Sequence, residues 1–406
     1  MPRFTQDYRP LYFLAALGAG GLSVSFFMYL MFLIPHPDTP IPTVESLVNV
    51  YAHESLGLKV LTTVALLGIA YFAVRHFTVL AANLRAFGEL RRSPAYETLR
   101  SSNGEVTLMA VPLTLGMTVN VLFILGALGV PGLWSVVEYA FPFALVAFAA
   151  VGALALFFFG RYLSRLIVAR GFDNEDTNHF SQILPAFAFS MIAVGFGASA
   201  AMSEVMATSV IGMAGAFLFI AATAAWVLVK LPVSFAAILR KGLAVEAGPT
   251  LWMGIPIFTL VGITFVRVGS GIAHRFLDTG LSPVLAFIVL GMLVAAQLVM
   301  GLIGWAVMRR QGYFERFVWG KEASVPSYGL ICPGVALAVL GMFFIHWGLV
   351  RTDVVTLFSP VHLALLALVV MLQARTIQVL VNLDRKLFGA AEKPAVTAPA
   401  AQLETV

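Results

Sequence analysis

Apolar side chains in this chain come in blocks of about 20 residues separated by polar stretches, neither the alternation of a half-buried strand nor the one-sided stripe of a surface helix. Ten such blocks run approximately over 11–35, 57–83, 105–130, 134–160, 180–204, 208–230, 249–271, 282–308, 327–350 and 355–380. A helix rises about 1.5 Å per residue and a bilayer core is about 30 Å thick, so each block predicts one membrane-spanning helix. The expected fold is all-α and integral to a membrane. A single transmembrane domain covers 1–386, and the Ala- and Pro-rich stretch 387–406 is expected to be a disordered cytoplasmic tail. Connections at 131–133, 205–207 and 351–354 are tight, whereas those at 84–104, 161–179, 231–248 and 309–326 are longer and polar. That alternation predicts five helical hairpins. No polar segment is long enough to build a core of its own.

A second pattern lies over the first. "LMAVPLTLGMTVNVLF", "SQILPAFAFSMIAVGF", "WMGIPIFTLVGITFV" and "LICPGVALAVLGMFF" carry Pro112, Pro185, Pro256 and Pro333 at intervals of 73, 71 and 77 residues, always in an odd-numbered block. The first block has Gly18, Gly20 and Gly21 in the comparable place. An interior proline removes a backbone hydrogen bond, and lipid tolerates the break only where it faces protein or water. The expectation is therefore that kinked odd helices share a wet interior, a central pore, with even helices outside. Ser23, Ser25, Thr114, Thr118, Asn120, Ser190, Ser199, Thr259 and Thr264 on the odd blocks either line a polar path or serve as ordinary small-residue packing. Each even block has a cation about 20 positions after its outer end, namely Arg75, Arg161, Lys230, Arg309 or Arg375. These form either an inner basic ring that gathers anions or a set of snorkelling anchors.

Composition changes the picture by excluding alternatives. With 60% hydrophobic and 11% charged residues, 406 residues do not fit one water-soluble core. Lys and Arg fall mostly on one side of the alternating topology, Arg170 and Lys393 among them, which predicts both termini in the cytoplasm. No cleavable signal peptide is required, because the first block is itself of spanning length. The net charge of +5 reflects that bias, and no nucleic-acid partner is expected. Odd blocks lack mid-membrane Asp, Glu and Lys, which disfavours a carboxylate proton relay and an acidic cation filter. Arg267 and His346 mark an electropositive outer mouth, with Glu204 a candidate partner for Arg267. No nucleophile, base and orienting group share one depth, so no enzyme is expected. Cys332, the single cysteine, is either an inert core residue or a reactive soft ligand. His346 with His362 is the one pair that offers haem ligation, and no metal site is expected.

Ten helices in five hairpins, prolines recurring on the odd ones and both termini inside resemble the tellurite-resistance/dicarboxylate transporter superfamily, to which TehA and the plant slow-type anion channels belong. "SYGLICPGVALAVLGMFFIHWGLV" is similar to the TsoY branch, some members of which carry selenocysteine where Cys332 would stand. The resemblance implies a homotrimer whose odd helices enclose a pore plugged by a phenylalanine. Phe343 and Phe189 lead the candidates for that gate, with Phe258, Phe187 and Phe344 behind them. The reading is an anion channel or passive transporter of a bacterial inner membrane, surrounded by lipid and without a cofactor, for an inorganic anion, a sulfur oxyanion or a carboxylate. The competing reading is a membrane redox subunit using haem or Cys332.

Overall fold

A computed structural model of the protein describes residues 3–168 and 179–388; Arg170, Lys393 and the tail from 389 lie outside these residues. The described residues contain helices and turns but no strand. Among the described residues, ten helices are long and apolar enough to cross a membrane: α1 (Pro10–Leu33), α2 (Leu56–Leu90), α3 (Asn103–Gly129), α4 (Leu133–Val168), α5 (Phe180–Met202), α6 (Met206–Lys241), α7 (Val245–Phe276), α8 (Pro283–Arg310), α9 (Val325–Val350) and α10 (Pro360–Leu387).

Burial divides them by parity. Between 56% and 94% of the most apolar window is buried in each odd helix, against 17% to 33% in each even one. A helix that is apolar all round and buried all round belongs to an interior, and one exposing a wide apolar face belongs against lipid. Packing agrees: α1 touches α3, α3 touches α5, α5 touches α7, α7 touches α9 and α9 returns to α1, while each odd helix also packs on the even helix that follows it. Close approach within the ring and onto it uses glycine where no Cβ fits. A Cβ on Gly212 of α6 would lie 2.7 Å from the Ala200 amide nitrogen of α5, and one on Gly271 of α7 would collide with the Ala200 carbonyl oxygen.

The repeated prolines have a different local role from the one expected of them. Every odd helix opens with a 3-10 stretch, and Pro112, Pro185, Pro256 and Pro333 fall at the second or third position of the α-helical part that follows. N–H groups there have no acceptor one α-turn back, so the proline removes no α-helical bond. The prolines open the α segments and mark a change of winding; they do not interrupt them. Prolines in true helix interiors, Pro142 and Pro232, lie on the even helices α4 and α6. Backbone carbonyls around the 3-10 openings are met by donors from the outer helices. Asn83 donates to Tyr12 O at 3.3 Å, Trp226 Nε1 to Gln182 O at 2.8 Å and Gln297 to Ile255 O at 2.7 Å.

Two short helices cover the ends of the bundle. Pro94–Ser101 lies beside the start of α3, and Val44–His53 follows a capping box in which Ser46 Oγ accepts from the Thr43 amide at 3.3 Å. Glu45 ties the latter helix to the turn after α3 by accepting from the Gly132 amide at 2.7 Å, and that bond holds its carboxyl below the usual carboxylate range. A lowered folded pKa means that the tether is fully present above the ordinary value and is lost as pH falls through the folded one. Slowed exchange of the Gly132 amide is therefore expected at neutral pH and should disappear under acid conditions. Glu45→Gln should show the fast rate at both.

Candidate functional site: an axial line of cavities

Among the described residues, three cavities follow one another along the odd ring, the outermost reaching α4 through Phe141, Ala144 and Phe148. An inner one of about 230 Å³ sits where the odd helices begin, lined by Leu14, Phe187, Met253, Pro256, Cys332 and Pro333 together with the polar His179, Ser181, Thr250 and Glu246. A middle one of about 70 Å³ is lined by residues of all five odd helices and shares Phe187, Pro256 and Cys332 with the first. An outer one of about 120 Å³ extends toward the other end of the bundle, with Ile41 from the α1–α2 connection among its walls.

The middle and outer cavities share Val24, Met117, Met191, Leu260, Ile263 and Val339, so every odd helix contributes to one apolar girdle. On α3, α5, α7 and α9 these side chains follow the repeated proline by four to seven residues, one to two turns above the 3-10 junction. The sequence signal was therefore present in the spacing. An apolar side chain facing a lumen looks the same in sequence as one facing lipid, and phenylalanine drew attention instead.

Of the five phenylalanines considered as gates, two face the axis. Phe187 stands at the boundary of the inner and middle cavities, and Phe343 lines the outer one with its ring edge-on to Phe32 at 5.2 Å. Phe189 points outward instead, packed on Phe159 at 5.2 Å and Phe219 at 6.0 Å, because the α5–α6 contact claims that face. Phe344 packs on Phe287 of α8. Phe258, half-buried, sits by the Gly254 backbone. Phe189, Phe258 and Phe344 line none of the three cavities.

The five inner cations are likewise engaged elsewhere. Arg75 pairs with Asp384 and donates to Ala15 O at 3.3 Å; Arg161 lies 3.7 Å from Glu105; Lys230 sits 5.4 Å from the Trp226 ring. Arg309 stacks on Trp305 at 5.0 Å and Arg375 on Trp319 at 4.8 Å. None of the five lines a cavity of the axis. This is the placement of anchors at the wall, where a long stem lies along apolar surface. Most of the small polar side chains also turn inward on their own scaffold: Thr114 donates to Phe13 O, Ser190 to Phe187 O and Thr264 to Leu260 O.

Among the described residues, what remains facing the outer cavity is one charge. Arg267 lines it, and its Nη1 donates to Val194 O at 2.7 Å. No carboxylate pairs with it among the described residues, since Glu204 is taken by Arg275 at 2.8 Å and His274 at 3.8 Å. Asn120 and the buried Ser199, whose hydroxyl has no hydrogen-bond partner among the described residues, are the other polar side chains on that wall.

His346 and His362 do meet, in a way that changes their chemistry. Their Nε2 atoms are 3.2 Å apart. His346 Nδ1 donates to Met342 O at 2.8 Å, and His362 Nδ1 accepts from the Phe358 amide at 3.3 Å. Those partners fix His362 as the Nε2 donor and His346 as the acceptor, a neutral hydrogen-bonded pair in which each Nε2 is spent on the other. Two ligands to one iron need a separation near twice a bond of about 2 Å and an open position between them. The pair offers neither. Cys332 is buried at the inner–middle boundary.

No protein-family model matches the chain and no curated protein matches it. The residues around the axis thus carry the functional argument by themselves.

Proposed function

We propose that the chain conducts or passively transports a small anion along the axis of its five odd helices, across a bacterial inner membrane with both termini in the cytoplasm. The observation that carries this reading is Arg267, a guanidinium without a carboxylate partner among the described residues, facing a cavity in line with two others. An uncompensated cation in an apolar wall is costly, and an anion arriving beside it offsets that cost. The apolar girdle supplies a narrow barrier that opens by side-chain rotation, in which Met117 and Met191 are the most adaptable members. The same architecture supports the resemblance to the tellurite-resistance/dicarboxylate superfamily and, through it, a homotrimer.

Anion flux into vesicles containing the purified chain tests the proposal, with an imposed gradient and a panel of chloride, nitrate, sulfite, thiosulfate and carboxylates. Removing a charge-assisted contact of about 1.5–3 kcal/mol corresponds to roughly a tenfold or larger loss. Arg267→Gln should accordingly reduce flux by about tenfold or more. Arg309→Gln and Arg375→Gln should leave it within about twofold, because those cations stack on tryptophans away from the axis. Flux indifferent to Arg267, or absent with every anion, overturns the proposal.

A further inference from the structure

We infer that the outer cavity is a binding site for a singly charged organic anion, a monocarboxylate with an apolar body, held by Arg267 with Ser199 and Asn120 beside it. The inference rests on the anion reading above and narrows it.

Charge balance comes first. Among the described residues, Arg267 is the one charged side chain lining that cavity, and no Asp, Glu, Lys or His shares the lining. A monoanion brings the site to neutrality, whereas a dianion leaves a net negative charge in low-dielectric surroundings, where an unpaired charge is strongly disfavoured. Sulfate, or a fully ionised dicarboxylate, therefore fits worse than a monoanion of the same size. With Nη1 held by Val194 O, the guanidinium is oriented and its remaining N–H groups have no partner among the described residues. A planar fork of that kind matches a carboxylate. Ser199 adds a buried hydroxyl.

Shape comes second. About 120 Å³ is several times the roughly 10–15 Å³ that one ordered water requires, so a lone halide would leave most of the space unfilled. The rest of the wall is apolar, aliphatic side chains such as Ile124 and Val194 together with Phe27, Phe123, Phe343 and Met202. Small-molecule sites combine such a wall with a few fixed polar groups, and an alkyl or aryl body fills this one.

The test uses the full-length chain with sodium butyrate and sodium benzoate as probes, against chloride, succinate and sulfate. Binding is read by titration in detergent and transport by flux in vesicles. Butyrate and benzoate should bind at least about tenfold tighter than chloride, succinate or sulfate at neutral pH, and Arg267→Gln should remove that advantage. Should Arg267→Gln fail to fold, Ala198→Leu supplies an independent readout by adding volume to the same wall. It should weaken benzoate binding at least about fivefold more than butyrate binding, because the larger body meets the added volume first. Equal loss of both, or sulfate binding as well as butyrate, overturns this inference and leaves the anion path standing. Absence of flux with every anion removes the path and the inference with it.

Discussion

A Gly271→Ala protein is expected to lose about 2–4 kcal/mol of stability and most of its anion flux. The added methyl would overlap the Ala200 carbonyl oxygen, lie 3.0 Å from the carbonyl carbon and lie 3.0 Å from Met213 Cε. Backbone cannot rotate away as the end of a flexible side chain can, so α7 must move off α5. Alanine's helix propensity returns only about 1 kcal/mol. The functional consequence follows from helix geometry: Gly271 and Arg267 are four residues apart and share one face of α7. Moving that face off α5 also pulls Arg267 from Val194 O, which holds it at 2.7 Å beside the outer cavity. Gly280→Ala is the matched control, since a Cβ there meets nothing within 4 Å. Thermal unfolding in detergent and vesicle flux should both fall for the first variant and neither for the second. A Gly271→Ala protein with native stability would overturn the close approach of α5 and α7.

How much of this was legible in the sequence depends on whether a residue's role is set by its own segment or by a distant one. The ten blocks are local, and each corresponds to a helix, with even helices such as α2 and α6 running several residues past the apolar limit. The distinction between odd and even helices was also readable, because proline and small residues recur in alternate blocks and those blocks are the buried ones. Prolines were legible as a repeat but not as a mechanism, since a 3-10 opening and an interior kink leave the same letter. The short helix Val44–His53 was missed even though Thr43 and Ser46 spell its cap; at ten residues it falls below the length that a periodicity scan detects. Side-chain partnerships were the least legible. Glu204 was expected to serve Arg267, yet Arg275, two turns further along the same helix, reaches it first and leaves Arg267 to the cavity. Arg75 was counted with an inner ring because of its depth, and nothing in its own helix announces Asp384, 309 positions away.

Asp384→Ala is expected to destabilise the bundle by about 2–4 kcal/mol, chiefly through what it leaves behind. Asp384 on α10 accepts from Arg75 Nε of α2 at 3.0 Å, from Arg75 Nη2, and from the Tyr328 hydroxyl of α9 at 2.9 Å, so one carboxylate joins three helices. The side chains of Arg75 and Asp384 are 13% and 26% exposed, enough burial for an orphaned guanidinium to be costly and enough access for the loss to fall below that of a fully buried pair. Replacing both partners with apolar residues, as in Arg75→Met/Asp384→Leu, removes the charge together with its counter-charge and should recover most of the loss. Wild type, Arg75→Met, Asp384→Leu and the double variant form a double-mutant cycle, and a coupling of about 1 kcal/mol or more is expected from unfolding in detergent. The cycle also separates the two roles open to Arg75. If the cation is a structural tie, the double variant keeps both stability and flux, because Arg75 lines none of the axial cavities. If it gathers anions at an inner mouth, the double variant stays folded and loses flux, and the charge that matters would then lie at the wall rather than at Arg267.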